Sequence, residues 1–140
     1  MSIATLVMPA DHESLRRLGP WLTELLGEPL PGDVPGLLSR IELALHEVCV
    51  NVVDHAYGGG PGELTVTGRA DDTTVELTVT DTGCAFERHA VVAPRAGVPQ
   101  IRGYGLMIVN QLVDQVDYDR VDATNICTLR ISRRAPDPAG

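Results

Sequence analysis

Lysine is absent from this sequence of 140 residues, and its eleven basic residues are all arginines. P-loop nucleotide sites and protein-kinase folds use a lysine to reach the phosphates of the nucleotide, so both classes are excluded. A nucleotide site in this chain must therefore bind phosphates by other means.

Cysteine is scarce, and long apolar runs are missing. The three cysteines, Cys49, Cys84 and Cys127, are an odd number without C-x-x-C spacing, which argues against a disulfide framework and a zinc ribbon. No run approaches the roughly 18 to 20 apolar residues of a membrane span, and the amino terminus lacks a secretory pattern. We therefore expect a reducing, cytoplasmic location and no membrane partner.

The chain also lacks an excess of positive charge. Its formal net charge is −8, which repels a phosphate backbone at long range, and the arginines occur singly or in pairs. Direct binding of nucleic acid is therefore not expected. With 44% hydrophobic residues, the chain can build one core, and we predict one domain over residues 1–134 with a disordered tail over 135–140.

Helical periodicity is clearest between Leu37 and His55. The apolar residues that recur at helical spacing are Leu37, Leu38, Ile41, Leu45, Val48 and Val52. The glycine-rich segment after Tyr57 ends this helix. The remaining patterns predict a strand over 3–8, a helix over 13–26 capped by Asp11, a hairpin of strands 63–69 and 73–80, an irregular lid-like segment over 84–102, a helix over 104–116 and a strand over 126–132.

Polar residues lie on another face of the helix over 37–55. Glu47 and Asn51 are four residues apart, and Asp54 and His55 follow one turn later, so all four are predicted at adjacent positions. They could supply a base, an oxygen ligand for Mg²⁺ and a phosphate contact; the alternative is an ordinary solvated helix face. A zinc-protease motif is excluded because Val50 stands where H-E-x-x-H requires histidine.

A short polar segment follows the second strand of the predicted hairpin. Asp81 could accept a hydrogen bond from the exocyclic amine of adenine, and Gly83 would allow a ligand to approach the backbone. The alternative is an ordinary Asp-x-Gly turn.

A second glycine-containing segment opens the helix over 104–116. Its backbone N–H groups and the helix dipole would suit phosphates, although a single Gly-x-Gly pattern is common. The residues concerned are Gly103, Tyr104, Gly105 and Leu106.

Taken in order, these motifs resemble the N box and the two glycine boxes of the GHKL ATPases, whose ATP-binding domain has the Bergerat fold. Within that superfamily, the chain resembles the stand-alone anti-sigma-factor serine kinases of the RsbW/SpoIIAB type. The likeness covers about residues 3–133 and is most specific over 42–57, ELALHEVCVNVVDHAY. It implies an α/β two-layer sandwich, with an antiparallel or mixed sheet covered on one face by three helices.

The resemblance implies roles for individual residues. Glu47 would be the general base that activates a serine hydroxyl, and Asn51 would ligate Mg²⁺. Asp81 and Gly83 would recognise the adenine of ATP or ADP, with Thr128 on the last strand helping through water.

The resemblance also implies a phosphate site at the second glycine box. Gly103 and Gly105 would contact the phosphates, and Arg102 would stabilise charge on the γ-phosphate. The sequence departs from the family at Ile126, where relatives often carry glycine, and in the segment before Arg102, which offers few matches.

The resemblance predicts a kinase that phosphorylates a small STAS-domain anti-anti-sigma protein and otherwise holds a sigma factor, and it implies a homodimer. Two alternatives remain open from the sequence. One is a regulatory module that binds ATP and sequesters its partners without phosphoryl transfer. The other is a catalytic domain detached from a histidine kinase, which would transfer phosphate to histidine.

Overall fold

The computed structural model describes residues 1–58, 60–85 and 101–135, with the backbone alone over 101–106. The elements are β1 (Ser2–Pro9), a 3₁₀ helix (Ser14–Arg17), α1 (Leu18–Leu26), α2 (Leu37–Asn51), a π-helical turn (Val52–Ala56), β2 (Glu63–Ala70), β3 (Thr74–Asp81), α3 (Ile101–Leu112), β4 (Gln115–Val121) and β5 (Thr124–Ser132). No helix in these ranges is both long and apolar enough to cross a membrane. Most of the predicted lid (86–100) and tail (136–140) lies outside the described residues.

The five strands form one sheet in the order β1-β2-β3-β5-β4. All four neighbouring pairs are antiparallel. Burial alternates along β2 and β3, as expected for a sheet with one covered face. The predicted α/β sandwich is confirmed, and the sheet formed by the described strands is antiparallel rather than mixed.

The hydrophobic core lies between the sheet and the helices. Alternate residues of the central strands point into it, and α1 and α2 each contribute residues about one turn apart. Its fully buried large side chains include Leu18, Leu22, Ile41, Leu45, Leu64, Leu77, Leu129 and Ile131.

The first helical segment is divided, whereas the sequence predicts one helix over 13–26. A 3₁₀ helix ends at Arg17 and α1 begins at Leu18. Pro20 has no N–H to donate to the carbonyl four residues earlier, so it fits the first turn of an α-helix but not its interior. Asp11 caps the segment as predicted, since its Oδ1 accepts a hydrogen bond from the Ser14 N–H at 2.7 Å.

The periodicity predicts a helix that continues to Val116 and no strand after it, whereas the structure has β4 over Gln115–Val121. A tight turn joins β4 to β5, and its residues Asp122 and Ala123 have φ values of 50° and 63°. Two-residue hairpin turns with positive φ at both positions usually carry Asn-Gly or Asp-Gly. Ala123 removes that signal, so the hairpin could not be recognised from the sequence.

A buried ion pair fastens the loop before α2 to the end of β5. Arg133 is 3% exposed, and its Nε and Nη2 donate to the two carboxylate oxygens of Asp33 at 2.9 and 3.0 Å. Its Nη1 donates to the Asp71 carbonyl at 3.1 Å. The backbone of Arg133 bonds to Val34 and Thr73. One side chain therefore joins three segments that are distant in sequence.

We expect Arg133→Met to lower the Tm by roughly 10 °C or more, because it leaves a carboxylate without its partner. Hydrogen bonds from Arg133 and from the Leu30 N–H lower the pKa of Asp33 from its ordinary value of 3.8. The stabilisation is therefore present above that value and is lost as the pH falls through the lower pKa of the folded protein.

Thermal denaturation across a pH series checks this prediction. The difference in Tm between wild type and Arg133→Met should narrow in acid, and the exposed neighbour's variant Arg134→Met should melt like wild type at neutral pH. Equal destabilisation by the two variants would contradict the role given to Arg133.

Candidate nucleotide-binding site

A cleft lies between the carboxyl end of α2 and the covered face of the sheet. Its volume is about 760 Å³, including the space open to solvent. The apolar residues that line it are Val48, Val52, Ala56, Val79, Ala85 and Val116, and the polar ones are Asn51, His55, Asp81, Asn110, Tyr118 and Asn125, with Cys84 and Cys127.

A buried carboxylate stands at the end of β3, in the wall of this cleft. Asp81 is 7% exposed. Its Oδ1 accepts hydrogen bonds from the Gly83 N–H at 2.9 Å and from Nδ2 of Asn125 at 2.8 Å. Since both of these bonds fall on Oδ1, Oδ2 remains as an acceptor with respect to the described residues. Such an acceptor favours an N–H group, because an apolar ligand that covered it would leave it desolvated and unpaired.

The backbone after Asp81 passes very close to the π-helical turn. The Cys84 N–H donates to the Ala56 carbonyl at 2.6 Å. A Cβ on Gly83 would collide with that same carbonyl, so no larger residue fits here without moving the segment. The strand end and the end of the helix are thereby held together at the floor of the cleft.

Asn51 ends α2 and faces the cleft. Among the described residues, its Nδ2 is buried and has no hydrogen-bond partner. The nitrogen and oxygen of an amide exchange places when the group turns by 180°, so Asn51 can present either a donor or an acceptor there. A buried polar group without a partner costs about 1–3 kcal/mol, and a polar ligand in the cleft would remove that cost.

The π-helical turn separates residues that the sequence placed on one helical face. His55 lines the cleft with Asn51. Asp54, in contrast, is exposed and its Oδ1 lies 2.8 Å from Nε2 of His12. The predicted contact between Asp54 and the ligand is therefore corrected: the wider turn directs this carboxylate away from the cleft.

Glu47 is half-buried on α2, one turn before Asn51, and it does not line the cleft itself. Ala56, beside Gly83, lies nine residues further along the chain. Asn51 therefore lies between Glu47 and Ala56 along this helical segment.

Thr128 does not face the cleft. Successive side chains of a strand point to opposite faces of the sheet, and on β5 the residues that line the cleft are Asn125 and Cys127. Thr128 pairs with Thr78, on the face that the helices leave uncovered. The predicted water-mediated contact from Thr128 is therefore wrong, and Cys127 occupies the position that faces the ligand.

The second glycine box lies within the first turns of α3, which begins at Ile101 rather than at Tyr104. The first four N–H groups of a helix have no partner inside it, so the backbone from Ile101 to Tyr104 remains suited to anions. The side chains of Arg102, Tyr104 and Leu106 lie outside what the structure describes, and their predicted contacts remain predictions.

Two features of the cleft were not identified from the sequence. Asn125 is 4% exposed and bonded to Asp81, but one asparagine beside a turn carries no distinctive pattern. Cys84 and Cys127, whose spacing matches no motif, also line the cleft. Burial raises the pKa of the third thiol, Cys49, and the neighbouring Cys127 adds to this shift.

Comparison with known families identifies one match over most of the chain. The model of the histidine kinase-like ATPase domain matches residues 8–131. Among curated relatives, the serine-protein kinase RsbW of Halalkalibacterium halodurans is 35% identical over 88 residues, covering 57% of this chain and 54% of the relative. The RsbW of a Bacillus cereus strain is 28% identical, covering 56% and 54%. The chain thus spans about half the length of these relatives.

Solved structures give the same fold. The RsbU and RsbW domains of a Mycobacterium tuberculosis protein superpose with a TM-score of 0.61 and 20% identity, over 96% of this chain and 34% of that one. The histidine kinase domain of a blue-light activated kinase of Erythrobacter litoralis gives 0.57 and 20%, over 86% and 60%. At such low identity, these similarities concern the fold alone.

Proposed function

Because this chain belongs to the family of histidine kinase-like ATPase domains, we propose that it binds ATP in the cleft and transfers the γ-phosphate to a serine of a protein partner. One observation carries the proposal. Asp81 has a carboxylate oxygen left for a ligand, and the buried amide of Asn51 faces the same cleft. The two groups fit opposite parts of a nucleotide.

Adenine is proposed to occupy the end of the cleft at Asp81. Its exocyclic amine would donate to Oδ2 of Asp81, and the apolar side chains of Val79 and Val52 would contact the ring. Gly83 allows the end of β3 to lie against the π-helical turn at this end of the cleft, because a Cβ there would collide with the Ala56 carbonyl. The ribose and phosphates would then extend towards Asn51 and the start of α3.

Mg²⁺ is proposed to bind through the amide oxygen of Asn51 and the phosphates. The residues present fit this ion, which prefers oxygen ligands and often binds through one or two protein groups plus substrate phosphates. When bound, it neutralises phosphate charge during transfer. The first N–H groups of α3 and Arg102 would supply further positive potential, as the family resemblance implies.

Glu47 is proposed to act as the general base. It lies one turn before Asn51 on α2, away from the proposed adenine end, and the γ-phosphate and an entering serine are proposed to meet near it. The carboxylate would accept the proton of the serine hydroxyl as its oxygen attacks phosphorus and the bond to the leaving ADP oxygen breaks. ADP and phosphoserine are the products.

The proposed partners are those implied by the resemblance. They are a STAS-domain anti-anti-sigma protein as phosphoacceptor, a sigma factor held when the acceptor is already phosphorylated, and a second copy of the chain. The dimer finds support in β1, an edge strand whose Ile3 and Val7 are 61% and 50% exposed on the uncovered face.

The transfer is tested with γ-labelled ATP, Mg²⁺ and a cognate STAS protein: acid-stable label on serine supports it, and acid-labile label indicates a histidine acceptor.

A second candidate function is sequestration of a partner without phosphoryl transfer. One observation favours it: Glu47 is not among the residues that line the cleft. The two functions differ in whether removing the Glu47 carboxylate abolishes regulation of the partner.

We expect Asn51→Ala to weaken Mg²⁺-dependent binding of ATP about tenfold or more, because it removes the proposed metal ligand. The Tm without nucleotide should stay near that of wild type, since Nδ2 forms no hydrogen bond with the described residues. Titration with a fluorescent ATP analogue and thermal denaturation measure both effects. Ser39→Ala, on the exposed side of α2, is the matched control. A collapse of the Tm with no change in affinity would contradict this role.

A further inference from the structure

Asn125 is the centre of a buried hydrogen-bond network beneath the adenine end of the cleft. Its Nδ2 donates to Oδ1 of Asp81 and to the Cys84 carbonyl, both at 2.8 Å, and shares one of these N–H groups with the Gly83 carbonyl at 3.4 Å. Its Oδ1 accepts from the Tyr118 hydroxyl and from Nη1 of Arg120, both at 2.7 Å. Two N–H donors and two lone pairs are the full capacity of an amide, so Asn125 has none left for a ligand.

The orientation of this amide is fixed by chemistry. The guanidinium of Arg120 can only donate, and the Cys84 carbonyl and the Asp81 carboxylate can only accept. Turning the amide by 180° would set donor against donor at Arg120 and acceptor against acceptor at Asp81 and Cys84, and only the Tyr118 hydroxyl could adapt. Asn125 therefore differs from Asn51, whose amide can serve in either orientation.

The network controls two parts of the proposed nucleotide site. The bond to Oδ1 sets the rotation of the Asp81 carboxylate, and hence the direction in which Oδ2 points. Bonds to the Gly83 and Cys84 carbonyls hold the backbone where it leaves the cleft. Arg120 holds the same backbone segment, because its Nη1 donates to the Gly83 carbonyl at 3.1 Å. Four segments of the chain thus meet at one amide.

We propose that Asn125 is a positioning residue for nucleotide recognition, which acts through Asp81 and sets the preference for a base bearing an exocyclic amine. The proposal rests on the proposed binding of ATP in this cleft. A carboxylate that is held in one orientation forms its hydrogen bond without reorganising. A carboxylate that is free to rotate loses conformational entropy when the ligand binds, and this loss lowers the affinity.

Asn125→Asp tests the proposal with almost no change of shape. It replaces both N–H donors with an oxygen that faces the Asp81 carboxylate and the Cys84 carbonyl. The probes are ATP and purine riboside triphosphate, which lacks the exocyclic amine. Wild type should prefer ATP about tenfold, the usual effect of one hydrogen bond to a charged group. In Asn125→Asp this ratio should fall towards one, and ATP affinity should drop about tenfold.

The dependence on pH gives a second readout. In acid, a proton shared by Asp81 and the new carboxyl would restore a donor between them, so the variant should regain part of its preference for ATP. The titratable and charged groups around this point are Asp81 on β3, Arg120 and Tyr118 on β4, Cys84, and His55 from the π-helical turn. Apart from the new carboxyl, all are shared with wild type, which is titrated in parallel and should show no such gain.

Two further variants keep the test decisive. Gln111→Glu introduces the same charge on the exposed side of α3 and should leave both affinities unchanged. Arg120→Gln removes one exposed donor to Asn125, and it replaces Asn125→Asp if that variant does not fold. It should lower the ATP preference about two- to threefold, as expected for a partial loss of order.

The outcomes separate the two proposals. A reduced ratio with recovery in acid supports the positioning role. Equal weakening of both triphosphates, or wild-type binding by the folded variants, overturns it while leaving ATP binding intact. If wild type binds neither triphosphate, the proposed function itself is wrong, and the role of Asn125 is overturned with it.

Discussion

Glu47→Gln should reduce transfer of phosphate to a serine partner by about 10²- to 10⁴-fold, the usual contribution of a general base. Glutamine keeps the size and polarity of the side chain but cannot accept the serine proton. ATP affinity should remain near that of wild type, because Glu47 stands apart from the residues that line the cleft.

Radiolabel transfer and nucleotide titration, measured on the same preparations, test this expectation. Glu42→Gln is the matched control, since it makes the same change at an exposed position of the same helix. Undiminished transfer by Glu47→Gln would exclude Glu47 as the base. Lost transfer with full regulation of the partner in cells would favour sequestration without chemistry.

Gly83→Ala should weaken nucleotide binding by up to about a hundredfold, the effect of losing one hydrogen bond to a charged group worth about 1.5–3 kcal/mol. The new Cβ would collide with the Ala56 carbonyl, so the segment after β3 must shift away from the π-helical turn. This movement would stretch the bond between Cys84 and Ala56 and displace the Gly83 N–H from Asp81.

Thr82→Ala is the control for this change. Thr82 is exposed, and its contact with Tyr57 is made chiefly by its backbone N–H, which donates to the Tyr57 hydroxyl at 3.0 Å. Its nucleotide affinity should therefore equal that of wild type. Circular dichroism should show intact secondary structure in both variants. Tight binding of ATP by a folded Gly83→Ala protein would contradict the site.

Periodicity predicted the elements that have one face in the core. α2 and the β2–β3 hairpin carry apolar residues at helical and alternating spacing because one side of each is buried. The same principle fails for β4, an edge strand in which Val116 and Tyr118 are only half-buried. The turn at Ala123 also lacks the glycine that usually marks such a hairpin.

Prediction of the site was limited by local geometry. Asp81 and Asn51 could be chosen because their residue types and order resemble a known family. Spacing along an ideal helix could not anticipate the π-helical turn that directs Asp54 towards His12. The choice of Thr128 over Cys127 depended on the register of a strand, where a shift of one residue reverses the face.

Asn125 shows a further limit. Its role arises from contacts with residues on β3, on β4 and in the segment after β3, and one of these, Asp81, is 44 positions away. No short sequence motif indicates such a network. The donors and acceptors around Asn125 could be identified only when the order of the strands in the sheet was known.

The central claim is that the cleft between α2 and the sheet binds ATP through Asp81. Equilibrium titration with a fluorescent ATP analogue, with and without Mg²⁺, tests it most directly when wild type and Asp81→Ala are compared. The account predicts saturable binding by wild type that Mg²⁺ strengthens and unlabelled ADP displaces, and its loss in the folded variant. Absence of binding by wild type, or equal binding by the variant, would contradict it.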